Sequence, residues 1–149
     1  MSVGERIRYF RKLNKMTQEE LGLKLGYNKK SAGIRIFQYE MGRRVPKPET
    51  LKRFADIFGV SVHVFKTATI DNEMVLLHTL FALEEERGMD LIDDGEEISL
   101  HFVKDEQNNA DLFEHLHAWK KMKIKYENRE ISKEEYDKWK NSYSISIDI

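Results

Sequence analysis

Histidines, paired carboxylates and clustered cations are the side chains in this chain with chemistry to offer, and their spacing separates the three. His115 and His117 lie two positions apart in a predicted helix, so their rings point to different faces, unlike an i, i+4 metal-ligand pair. The runs Glu84-Glu85-Glu86, Asp93-Asp94 and Glu96-Glu97 carry groups fit for metal binding or acid-base work. No glycine-rich phosphate loop, nucleophile elbow or ligand-spaced cluster accompanies them, and a solvated acidic face accounts for them. The absence of cysteine removes thiolate catalysis, disulfide frameworks and the usual cysteine-bearing zinc sites. No catalytic residue, metal site or cofactor is expected, and the chain does not read as an enzyme.

The cations tell more. Residues 1 to 66 hold 15 Lys+Arg against 6 Asp+Glu, a balance of +9, whereas residues 67 to 149 hold 10 against 20, a balance of -10. A basic half joined to an acidic half suggests that the first half alone meets a polyanion. With 149 residues, 40% hydrophobic and 34% charged, the chain has room for two small domains and is too polar for a membrane. Met1 to Lys15 lacks the apolar core of a signal peptide, so a cytoplasmic address is expected.

The elements that must carry these groups follow from periodicity and caps. Ile7, Phe10 and Leu13 make one helix face; Thr17 and Glu20 form a capping box opening a helix to about Leu25, stopped by Gly26. A third helix starts near Ser31, turns Ile36 and Tyr39 inward and ends at Gly42. Pro48 opens a fourth, closed by Gly59, and Ser61 caps a short fifth through Phe65. Beyond the junction at 66–70 the pattern predicts a long apolar helix from about Asn72 to Arg87. A hairpin of Met89–Ile92 and Glu97–Val103 turning at Asp94-Gly95 comes next, then helices from about Ala110 to Glu127 and from Ser132 to about Asn141. The ending Ser-Ile-Ser-Ile-Asp-Ile alternates like a strand.

The segment Met16-Thr-Gln-Glu-Glu-Leu-Gly-Leu-Lys-Leu-Gly26, then Ile36-Phe-Gln-Tyr-Glu-Met-Gly-Arg-Arg44, Pro46 and Glu49-Thr-Leu51, resembles the lambda-repressor/Cro class of helix-turn-helix domains. The resemblance covers about residues 1–66 and implies a regulator of bacterial, phage or mobile-element origin whose third helix enters the major groove. Aligned backwards from Glu40, it places Gly33, Ile34, Arg35, Phe37 and Gln38 at base-facing positions, with Arg35 suited to guanine and Gln38 to adenine. Phe37 is either a thymine-methyl contact or a packing residue. Gln18, by family position, and the cations Lys29, Lys30, Arg43 and Arg44 are assigned to phosphates, and Arg11 with Glu40 to a partly buried ion pair. The stretch from Tyr27 to Ile36 is about four residues longer than is typical, which either lengthens the turn or adds a turn to the start of helix 3.

The expected architecture is mainly α: a five-helix DNA-binding domain over 1–66 and an acidic α+β domain over 67–149 made of a long helix, a hairpin and two helices. The function it implies is sequence-specific regulation of transcription, most simply repression, with double-stranded DNA as the partner. The second domain either dimerises the chain, around Leu77, Leu80, Trp119 and Trp139, or binds a protein partner. A rival reading from another class is an antitoxin-like or adaptor protein whose DNA binding is autoregulatory.

Overall fold

The computed structural model describes residues 1–103 and 109–144. Local capping chemistry sets most of its helix boundaries. Ser2 opens α1, Val3–Leu13, by accepting from the Glu5 amide while the Glu5 carboxylate accepts from the Ser2 amide at 2.6 Å. Thr17 and Glu20 repeat the arrangement at α2, Gln18–Lys24, and the amide held by Glu20 keeps its carboxyl below the usual range. Asn28 caps α3, Lys29–Glu40, and Pro48 opens α4, Pro48–Phe58, which Gly59 closes in the left-handed conformation at φ 66°. Ser61 caps a short 3-10 helix, Val62–Phe65.

These five helices surround one core. Ile7 and Phe10 of α1, Leu21 of α2, Leu25, Ile36 and Tyr39 of α3, Phe54 and Phe58 of α4, and Phe65 pack together in the interior. The Phe54 and Phe58 rings stack at 5.9 Å, with Tyr39 edge-on to Phe54 at the same distance. Arg6 is buried beneath the 3-10 helix and donates to the carbonyls of Thr67 and Ala68, closing its end.

The rest of the chain supplies α5, Glu73–Arg87, a hairpin of β1, Met89–Asp93, and β2, Ile98–Phe102, then α6, Ala110–Glu127, and α7, Lys133–Ser142. The strands are antiparallel, with Met89 opposite Phe102, Leu91 opposite Leu100 and Asp93 opposite Ile98. Their turn has four residues, Asp94 to Glu97, because the Asp94 carboxylate accepts from the amides of Glu96 and Glu97. Asn109 ties the hairpin base to α5 by donating to the carbonyls of Arg87 and Val103. Ser132 and Glu135 form a capping box at the start of α7, and Tyr136 stacks on Tyr126 at 5.1 Å while accepting from the Trp119 indole.

A mainly helical chain with a small antiparallel sheet is the architecture that the sequence leads one to expect. One boundary differs: α3 starts at Lys29 and not near Ser31, because Asn28 accepts the Ser31 amide at 3.0 Å and takes the cap position itself. The chain divides into two units, one of Met1–Thr69 with the described residues from Asp137 onward, the other of Ile70–Tyr136. The first therefore includes residues that the sequence reading assigns to the second domain. Within that unit the buried amide of Ser61 donates to the Asn141 carbonyl at 2.8 Å. The strand-like ending beyond Ser144 lies outside the described residues. Among those residues, no helix is long and apolar enough to cross a membrane.

Candidate nucleic-acid interface

A helix presents three kinds of position to its surroundings, and α3 uses each differently. Ala32, Ile36, Tyr39 and Glu40 are buried against α1, α2 and α4. Lys30, Ile34, Phe37 and Met41, spaced by three or four residues, make an outward ridge on which Ile34 is 61% exposed, Phe37 40% and Met41 53%. Gly33, Arg35 and Gln38 lie half-buried between the two.

The packing that aims this ridge depends on two glycines with no room for a side chain. A Cβ on Gly22 of α2 would lie 2.5 Å from the Ala32 carbonyl oxygen, and one on Gly4 of α1 would lie 2.5 Å from the Tyr39 carbonyl oxygen. α3 is thus seated backbone to backbone on both neighbouring helices. The residues between α2 and α3 are Leu25 to Asn28, so the longer spacing noted in the sequence is taken up by an extra helical turn and not by a wider loop. Four added residues lengthen the start of α3 by about 6 Å at the ordinary helical rise.

Glu40 fastens the same three helices from the other side. Its Oε2 accepts from Arg11 Nη2 at 3.1 Å and from Gln18 Nε2 at 2.8 Å, and Arg11 Nη1 also donates to the Met16 carbonyl at 2.8 Å. The Glu40 side chain is 3% exposed and that of Arg11 12%, so the pair is largely desolvated. Gln18, assigned to phosphate in the sequence, has its amide engaged by this pair, while its place as the first residue of α2 stays as assigned.

The remaining assigned residues fall around the ridge. Lys29 and Lys30 are exposed at the start of α3, and Arg43 and Arg44 are exposed just past its end. A 12-residue α3 is about 18 Å long, enough for its basic ends to bracket a major groove of about 12 Å. Arg43 lies over the Phe37 ring at 5.4 Å and Arg44 over the Tyr39 ring at 5.9 Å, which holds both near the helix. Phe37 is on the open ridge and not packed into the turn. Gly33 faces the start of α2, with the Glu19 amide nitrogen 3.7 Å from where a Cβ would be.

Three contributors carry no sequence assignment. Tyr27 lies 4.7 Å beneath the Arg35 guanidinium and meets the Tyr39 hydroxyl at 3.3 Å; burial and that contact push the Tyr39 phenol above its ordinary range. Met41 extends the outward ridge, and Arg53 donates to the Leu25 carbonyl, capping α2. The spacing 34, 37, 41 is the signal that would have found Met41.

Two helices crossing at a tight turn, the second turned outward between cations, define a DNA-binding helix-turn-helix domain. Residues 7–65 match the family described as Helix-turn-helix, and this segment is a domain of the lambda-repressor/Cro class. The family is one of DNA-binding regulators of transcription. No curated relative matches the chain. Among the described residues no group of three or more His, Asp or Glu is placed to hold a metal ion.

The cations at both ends of α3 lead to a quantitative expectation. Affinity for duplex DNA should fall steeply with salt, since each phosphate neutralised releases condensed counterions. Arg43→Ala or Arg44→Ala should weaken specific and random duplexes alike and lower the slope of log affinity against log salt by about 1. Fluorescence anisotropy over a salt series measures this, and an unchanged slope would mean that neither arginine meets a phosphate.

Proposed function

We propose that the protein regulates transcription by placing α3 in the major groove of an operator, most simply as a repressor that blocks promoter access and needs no chemistry of its own. The observation that carries this reading is the outward ridge of α3 set between two pairs of exposed cations. Arg35 and Gln38 flank the ridge and have the donors to pair with guanine and adenine edges, while Ile34 and Phe37 offer apolar contact to thymine methyl groups. Stacking on Tyr27 limits the freedom of the Arg35 guanidinium, so less rotamer entropy is lost when it meets a base. Two copies on one operator would read half-sites about one DNA turn apart.

Selection of bound sites from a random DNA library, repeated with Arg35→Ala and Gln38→Ala, tests the reading. Each variant should lose discrimination of about 1–3 kcal/mol at one operator position and keep it elsewhere. Full sequence preference in both variants would remove α3 from the base-reading role.

A further inference from the structure

The unit Ile70–Tyr136 carries surface that DNA binding does not use. In α5 the run Met74 to Leu83 is broken only by His78 and Thr79, so apolar residues face every side of the helix, yet none of its 15 residues is buried. Met74 is 59% exposed and Phe81 46%. A helix apolar all round belongs in an interior. The hairpin repeats the mismatch: Met89, Leu91, Leu100, Ile98 and Phe102 share a face by register, and while Met89 is buried, Leu91 is 57% exposed, Leu100 52% and Ile98 70%. α5 and β1 meet along a narrow cavity of about 120 Å³ lined by Leu77, Leu80, Phe81, Met89 and Leu91, which makes their exposed side chains one continuous surface. Two strands alone are marginal in water, and among the described residues each has an unpaired edge.

Charge identifies what covers this surface. Residues 70–103 hold ten carboxylates against Arg87 alone, and residues 118–129 of α6 and its end hold five cations against Glu127. The two blocks belong to the same unit and do not neutralise each other. Lys123 pairs with Glu127 on its own helix, while Lys120, Lys121 and Lys125 enter no ion pair among the described residues, and neither do Glu84, Glu85 and Glu86. Lys120, Lys121 and Lys125 share a helix face with Ile124, itself 41% exposed. The chain thus carries an acidic apolar surface and, separately, a cationic face with an apolar centre.

We propose that a second copy of this chain closes the α5–hairpin surface, the acidic rim of each copy meeting the α6 lysines of the other. A two-fold axis makes both contacts at once, so the assembly ends at a dimer. This deepens the reading of two copies on one operator by naming the surface that joins them.

Light scattering and sedimentation on the full chain test it. The wild-type chain should be a dimer. Leu77→Glu with Leu100→Glu should raise the dimer dissociation constant on the order of 100-fold, by forcing carboxylates into the covered surface. Lys120→Glu with Lys121→Glu and Lys125→Glu alters only exposed positions, so it decides the matter even where the leucine variant fails to fold; it should weaken the dimer about tenfold at low salt and less at high salt. A monomeric wild-type chain overturns the proposal and leaves the surface to a foreign basic protein. A dimer that neither variant weakens overturns it as well. Failure of the operator reading would look different: the wild-type chain would lack sequence preference whatever its oligomeric state.

Discussion

Replacing Arg11 with Ala should destabilise the protein by about 3–5 kcal/mol, and Glu40→Ala should fall toward the lower end of that range. Both remove one half of a pair in which the carboxylate side chain is 3% exposed and the arginine side chain 12%. Without Arg11, Glu40 keeps the Gln18 amide at 2.8 Å and nothing to balance its charge. Without Glu40, the long arginine side chain has a short path to water and keeps its bond to the Met16 carbonyl. The order of the two losses is therefore set by which charge can escape. Denaturant unfolding, compared through midpoints at constant slope, measures both losses. Equal and small losses would mean that water reaches the pair.

Gly22→Ala should be more disruptive than its single added methyl suggests. The new Cβ would sit 2.5 Å from the Ala32 carbonyl oxygen and 2.7 Å from the Ala32 Cα, where ordinary contact begins at 3.4 Å. Both neighbours are backbone, so no rotamer change relieves the clash and α2 and α3 must separate. Overpacking of this kind costs about 1–3 kcal/mol, and the displaced element is α3, the helix proposed to enter the groove, so affinity for specific DNA should fall further than the folded fraction does. Gly33→Ala is the internal contrast. Its Cβ would meet nothing nearer than 3.7 Å, so an alanine there should stabilise α3 by about 0.5–1 kcal/mol. Unfolding curves and anisotropy titrations on both variants are the measurement, and a Gly22→Ala protein as stable as wild type would mean that the helices are not held at this distance.

These two sites also divide what the sequence reveals from what it hides. Thr17 with Glu20 and Ser132 with Glu135 announce their helices because each cap is closed within four residues, whereas the same box of Ser2 and Glu5 emerges only in the structure. The start of α3 is less legible, since Asn28 and Ser31 are both good caps. The extra turn then lays Ala32 against Gly22, a contact that no local pattern announces. The ion pair of Arg11 and Glu40 was readable only through family resemblance, being 29 positions apart. The Arg35 platform was not readable at all. A single Tyr27 after Gly26 carries no periodic signal, and its role exists only once α3 has folded back over it. The same holds for α7, whose sequence pattern predicts a helix but not that the residues from Asp137 group with Met1–Thr69.

That grouping bears on how the molecule is made. Ser61 begins the 3-10 helix that completes the DNA-binding core, and its buried amide finds its acceptor at Asn141, 80 positions later. A chain emerging from the ribosome can fold α1 to α4 early through contacts of short range, but this last bond waits until α7 has been synthesised. Closing so long a loop is entropically slow and is set against a single buried hydrogen bond and its surrounding contacts. The DNA-binding unit is thus completed only after α7 has been synthesised, so a chain halted before Asn141 carries that unit still open at the Ser61 amide.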